Sequence, residues 1–198
     1  MPRIKEGFKG ERAIVLPAFL IEELKQDPLG SELYITDIGY YPHACFHYRK
    51  RNTEEATEFI LIYCMEGEGW FRVRQTSICS YRQPIFILPK HQAHAYGSNE
   101  RNPWTIYWIH FNGTKAAFFS AGFDRPKDIT PQEDSRIKER LVLFEEIYSS
   151  ISSGYSKNYM LYATTSLFHF FRFHEVLLVN IGIAVLCAMV AEARMWCK

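Results

Sequence analysis

The sequence has almost no surplus of charge: 23 Lys and Arg against 22 Asp and Glu leave a formal net charge of +1, and the pI is about 7.7. A domain built to neutralise phosphates is usually far more basic, with its cations gathered on one element, so direct binding of nucleic acid by this chain is not expected. Paired-cysteine spacing is missing as well. The five cysteines (Cys45, Cys64, Cys79, Cys187 and Cys197) are an odd number without a CxxC, and three lie in apolar runs where Cys behaves as a small hydrophobe. The opening MPRIKEGFKGER lacks the apolar core of a signal peptide. These features predict reduced thiols and a cytoplasmic protein. There is no Gly-rich phosphate loop, no Ser or Cys in a recognisable nucleophile setting, and no internal repeat. Long hydrophobic runs are scarce. The longest, Val176 to Ala191, is sixteen residues interrupted by Asn180 and Gly182. A spanning helix needs roughly 20, so a buried helix is expected there and no membrane association.

What the sequence does have is aromatic side chains, 16% of all residues, within a composition that is 47% hydrophobic. Fifteen Phe, twelve Tyr and four Trp suit a β-rich scaffold or a pocket that stacks on a ligand's apolar face. From Leu33 to Asn112 short β-rich runs alternate with turn residues: LYITDIGYY, EFILIYCME, WFRVR, SICSY, PIFIL and WTIYWIHF. That cadence is the one of an antiparallel sandwich or barrel. Phe59 to Met65 is apolar on both alternating faces and reads as a central strand, whereas Phe71 and Val73 alternate with Trp70, Arg72 and Arg74 as in a half-exposed one. Ahead of the β region, Leu16-Pro17 opens a short helix over Ala18 to Lys25, stopped by Pro28 and Gly30.

After Gly113 the period changes. Thr130-Pro131-Gln132-Glu133 reads as a capped helix start. Ile137, Leu141, Phe144, Tyr148 and Ile151 then form one apolar stripe, opposite a charged face of Arg136, Lys138, Glu139, Arg140 and Glu145. Ser152-Ser153-Gly154 is a loop, and a second helix from about Ser156 to Phe171 carries Met160, Ala163, Leu167 and Phe171 on one side.

Four segments carry a resemblance: GYYPHACFHYRKR, FILIYCMEGEGW, FILPKHQAHAYG and WTIYWIHFNG, in this order between Gly39 and Gly113. Together they resemble the sensory domain of AraC-type transcription regulators. The second contains the family's Gly-x-Gly turn (Gly67, Gly69) and the third its Pro-x4-His hairpin (Pro89, His94). Gln83-Pro84 and Gln75-Thr76 depart from the family pattern, which has glycine at both places. The resemblance implies a mainly β fold, a cupin-like small β-barrel (jelly roll) followed by a C-terminal α-helical pair. The expected organisation is an arm with a short helix over 1–32, the barrel over 33–125, a dimerising helical pair over 126–172 and an atypical apolar tail over 173–198. Family members normally continue into helix-turn-helix units; no such pattern follows the helix pair, so a DNA-binding segment is not expected in this chain.

Residue by residue, the resemblance places a sugar pocket at Arg51, Tyr96 and Trp108, with Ile106 and His94 close by. Arg51 would offer a fixed fork to hydroxyls, Trp108 a flat apolar face and Tyr96 a ring with a hydroxyl. Trp104, Ile106, Trp108 and His110 share one strand face by the period of two. The expected effector is a small molecule, a monosaccharide first. The stripe Ile137, Leu141, Phe144, Tyr148 and Ile151 would pair with its twin in a homodimer, although a stripe of this kind also packs on a domain's own sheet. No cofactor and no metal are expected. His94 matches one cupin ligand, but Phe59 to Glu66 holds no histidine, and His43 and His47, four residues apart on one expected strand, stand roughly 13 Å apart, too far to share a metal. The rival readings are a metal-dependent cupin enzyme and a truncated partner that disables full-length regulators by dimerising with them.

Overall fold

The computed structural model describes residues 3–73, 76–82, 84–121, 123, 127–128 and 137–171, with the side chains of 76–82 and 127–128 left aside. In chain order the elements are β1 (Arg12–Val15), α1 (Ala18–Gln26), a 3-10 turn (Gly30–Glu32), β2 (Tyr34–Tyr41), β3 (Tyr48–Arg51), β4 (Phe59–Glu66), β5 (Glu68–Val73), β6 (Thr76–Arg82), β7 (Pro84–Leu88), β8 (His94–Ser98), β9 (Thr105–Asn112), α2 (Ala116–Ser120), β10 (Lys127–Asp128), α3 (Ile137–Ser152) and α4 (157–171). The strands build two antiparallel sheets, one ordered β1-β2-β9-β4-β7-β10 and one β3-β8-β5-β6. This is the mainly β, cupin-like sandwich with a C-terminal helix pair that the sequence pattern predicts. No helix among the described residues is long and apolar enough to cross a membrane.

The apolar run of β4 is explained by its place between β9 and β7, with a core on each side. Ile60, Ile62 and Cys64 point between the two sheets, beside Phe86 and Leu88 of β7 and Ile106 and Trp108 of β9. Leu61 and Tyr63, with Ile85, Ile87, Ile109 and Phe111, point the other way, into a second core closed by the helices. A strand with period two that must satisfy both cores has no polar position to spare.

The helical stripe is part of that second core. Phe144 and Ile151 are buried at 1% exposure, Tyr107 of β9 meets Phe144 edge-on at 4.4 Å, and Ile147, outside the expected stripe, is buried as well. Ile137, Leu141 and Tyr148 are half-buried against the same core. On α4 the expected face of Met160, Ala163, Leu167 and Phe171 is buried.

Several expectations need correction. The segment before the barrel is more than an arm with a helix: β1 pairs antiparallel with β2 as an edge strand of the large sheet. Arg49-Lys50-Arg51, which by sequence reads as a solvated loop, is a strand paired with β8, and its alternation turns Arg49 and Arg51 toward Tyr96 and His94. His43 and His47 do not share a strand. Residues 42–47 form a turn with His43 and Phe46 in the left-handed region, pinned when the His43 N–H donates to Thr105 Oγ1 and the Ala44 N–H to the Trp104 carbonyl. Of the two turn glycines only Gly67 has positive φ; Gly69 is needed because a Cβ there would sit 1.9 Å from the Trp104 ring. Arg140 leaves the charged face for the core, where it meets the Tyr63 hydroxyl. The capped helix start at Thr130 to Glu133, the apolar tail after residue 171, Gln75, Gln83, and the surroundings of Cys79, Cys187 and Cys197 lie outside the described residues; Cys45 is a free thiol.

Because Phe144 fills space between α3 and the sheet, Phe144→Ala should destabilise the fold by about 3–5 kcal/mol, read as a lower urea midpoint. A change under about 1 kcal/mol would show that α3 does not hold the sheet as described.

Candidate functional site

Between the sheets lies a cavity with an empty volume of about 280 Å³. Part of that space is open to solvent. Its walls come from both sheets: Ile62, Ile106, Trp108 and His110 from β4 and β9, Tyr41 from β2, Arg49 from β3 and Tyr96 from β8, with His47 entering from the 42–47 turn. Tyr96, Ile106 and Trp108 are three of the five residues expected at a pocket. Arg51 and His94 stand beside it instead: the Arg51 guanidinium reaches the Tyr96 hydroxyl at 3.5 Å, and the His94 and Tyr96 rings are 6.2 Å apart.

Sequence reasoning missed Tyr41, His47, Arg49 and His110 as wall residues. His110 was legible, since the period of β9 puts it on the face of Ile106 and Trp108. His47 was not, because its direction depends on a turn with two left-handed residues. Once there, its chemistry is fixed by a neighbour. Trp104 Nε1 can only donate, and it lies 3.2 Å from His47 Nδ1, so Nδ1 accepts and the imidazole proton sits on Nε2. That Nε2–H is buried and has no partner among the described residues, and the same holds for Trp108 Nε1–H. In His94 the order is reversed: Nδ1 faces the Gln92 carbonyl at 2.9 Å and must donate, leaving Nε2 a bare, buried acceptor. Native interiors rarely leave such groups unmatched; two of them, on His47 and Trp108, belong to the cavity wall, and the third, on His94, lies beside it.

Burial drives both histidines toward the neutral form, His47 down to about 3 and His94 down to about 4, with the Arg49 and Arg51 charges pushing the same way. His110 behaves oppositely. Burial works against its charge, but Nδ1 lies 3.1 Å from Glu58 Oε2 and 3.2 Å from Asp37 Oδ2, and these contacts raise its pKa. Asp37, Glu58 and His110 also have the donor types and mutual closeness of a metal site. Their geometry is that of a hydrogen-bonded triad, with one imidazole Nδ1 within reach of two carboxylates.

The N-terminal segment covers this end of the sandwich. Ile4 exchanges backbone hydrogen bonds with Phe46 and Tyr48, and the Phe8 ring packs 5.1 Å from Tyr41 and 5.4 Å from His47, two wall residues. Glu11 ties the segment into a turn by accepting from the Gly7 and Phe8 N–H groups.

Residues 39–171 match the family of AraC-like ligand-binding domains. The chain belongs to this family. Among curated relatives, the MmsAB operon regulatory protein of Pseudomonas aeruginosa is 36% identical over 159 residues, covering 77% of this chain and 50% of the relative. The Msm operon regulatory protein of Streptococcus mutans is 26% identical over 88 residues, 40% of this chain and 32% of the relative. The chain thus spans about half the length of the first relative and a third of the second. As a family member it is a sensory domain of the regulator type.

The histidines make stability depend on pH with a definite sign. His47 and His94 titrate lower in the folded state than the roughly 6.5 of the unfolded chain, so their contribution is complete above that value and is lost as pH falls, about 1.4 kcal/mol per unit for each. His110 has a raised value, so its contribution is present below about 6.5 and lost as pH rises through its folded value. The melting temperature should therefore drop between pH 6.5 and 4.5, and His94→Gln should flatten that drop. Equal slopes for wild type and variant would mean that His94 is not held neutral.

Proposed function

We propose that this domain binds a small sugar-like effector in the cavity between the sheets, against Trp108 and Tyr96 with Arg51 adding a fixed cation, and relays occupancy to a dimer formed by the helix pair. The observation that carries this reading is the cavity itself: small, walled by both sheets and edged by buried polar atoms that have no partner among the described residues. A ring with one apolar face and hydroxyls at its edge suits the mixture of indole, phenol and imidazole.

The N-terminal segment supplies a means of response. Phe8 touches Tyr41 and His47, so a ligand that moves either changes how well the segment lies down. The same segment runs into β1, where the Arg12 guanidinium pairs with both carboxylate oxygens of Glu145 on α3, at 2.9 and 2.6 Å, and lies 5.0 Å over the Tyr148 ring. Cavity, segment and helix pair are therefore in contact through named side chains. Action on an operon, which the relatives' names state of them, belongs to the same proposal, with these residues as its sensing part.

In a thermal-shift screen over monosaccharides, an effector at 100 times its Kd should stabilise the protein by about 2.7 kcal/mol. Trp108→Ala should abolish that shift and Arg51→Ala should weaken binding by about 1.5–3 kcal/mol. If both variants fold and respond as wild type, the effector site lies elsewhere.

For the dimer, Phe144 and Ile151 are committed to the chain's own core, which leaves the half-buried Ile137, Leu141 and Tyr148, flanked by Val142 at 63% exposure, to meet a twin. Light scattering should report a dimer, and Leu141→Glu should convert it to a folded monomer. A wild-type monomer at high protein concentration would remove the helix pair from this role.

A further inference from the structure

The polar atoms of the cavity are unequal in kind, and this bears on what the effector is. We propose that it is a small hydroxylated carboxylate, a sugar acid or shorter hydroxy acid, whose carboxylate is received by Arg49, His47 and Trp108. The inference rests on the cavity being the effector site.

The argument starts from a census of donors and acceptors. Trp108 Nε1 is a donor and nothing else, and the Trp104 contact makes His47 Nε2 a donor too. Arg49 adds a guanidinium, which has five N–H groups and no acceptor. No carboxylate stands among the lining residues to answer them, and the two phenol oxygens there, of Tyr41 and Tyr96, already face the Arg49 and Arg51 guanidiniums. A neutral polyol brings one proton with every hydroxyl oxygen, so meeting this wall it would leave its own donors stranded. A carboxylate brings only acceptors, with about four lone-pair sites, and its planar shape matches the guanidinium fork.

Charge points the same way. Asp37 and Glu58 are both within hydrogen-bond reach of His110, and Arg51 has a phenol partner and no ion pair among the described residues. Arg49 is the cation on the cavity wall itself. Its carboxylate contact is Glu6 at 3.7 Å, a residue 72% exposed on the covering segment, and an exposed pair of this kind contributes little. A ligand carboxylate inside the cavity would be a better partner than Glu6 outside it. The hydroxyl follows from His94, which stands beside the cavity next to Tyr96: a ligand donor extending past Tyr96 would answer its bare Nε2, and a simple alkanoate has none.

The test uses pairs of compounds that differ in one group, D-glucuronate against D-glucose and D-glycerate against glycerol, titrated into the ¹⁵N-labelled protein. The probe is the Trp108 indole N–H resonance, assigned with Trp108→Phe. The acid of at least one pair should shift that resonance and bind at least ten-fold tighter than its neutral partner. Arg49→Gln should erase the preference and Arg49→Lys should keep part of it. A neutral partner that binds equally or better overturns the carboxylate and leaves the cavity as the effector site. If no compound of either pair moves the Trp108 resonance or the melting temperature, the carboxylate assignment falls together with the sugar-like reading on which it rests. A preference that survives Arg49→Gln also overturns the assignment, because the anion would then be held by other groups.

Discussion

The geometry of the cavity depends on one side chain that does not line it. Trp104 is fully buried and bonded on every side. Its N–H donates to Ser98 Oγ, its carbonyl accepts from the Ala44 N–H, its indole N–H fixes the His47 ring, and its six-membered ring fills the space that Gly69 leaves open. Through these four contacts it locks the 42–47 turn to β9, β8 and the start of β5. Without that lock, neither the direction of His47 nor the inward set of Arg49 two residues later would be determined. Removing a buried indole costs packing, but the larger consequence here would be orientational. His47 would lose the contact that selects its tautomer and with it the fixed donor facing the cavity.

The large sheet separates two tasks that alternate along the same strands. Even-numbered residues of β9 (Ile106, Trp108, His110) belong to the cavity, and odd-numbered ones (Tyr107, Ile109, Phe111) to the helical core. A shift at Trp108 is therefore one peptide away from Tyr107, which packs on Phe144 of α3 and lies 4.7 Å from Tyr40. Close-packed interiors transmit such displacements instead of absorbing them. The bidentate Arg12–Glu145 pair adds a second link, from the covering segment to the same helix. Both sides of that ion pair are about two-fifths exposed, so its strength is modest and its geometric role outweighs its contribution to stability.

How much of this was legible in the sequence follows from the range of the interactions involved. β4 could be read because burial on two faces writes an unbroken apolar run, and α4 because one buried face repeats with the helical period. β3 could not, since Arg49-Lys50-Arg51 is solvated by every local rule, and only pairing with β8 turns two of its cations inward. β1 was hidden for a similar reason, a four-residue edge strand with no pattern of its own. The stripe on α3 was found correctly as a stripe, but its hydrophobic period says only that something covers it. The structure puts Phe144 and Ile151 under the chain's own sheet, a choice between intramolecular and intermolecular burial that periodicity cannot make.

The same distinction governs the site. Tyr96, Ile106 and Trp108 were reachable because a strand's period assigns each residue to a face, whereas the chemistry of that face is decided by tautomers, which no pattern encodes. His47 and His94 are both buried and neutral, yet one presents a proton to its surroundings and the other a lone pair. The cause is that an indole faces the first and a peptide carbonyl the second. Two histidines of equal composition thus impose opposite demands on whatever lies between them. A ligand that answers both must accept at one end and donate at the other. That polarity, more than the size of the cavity, separates a hydroxy acid from a neutral sugar of the same length.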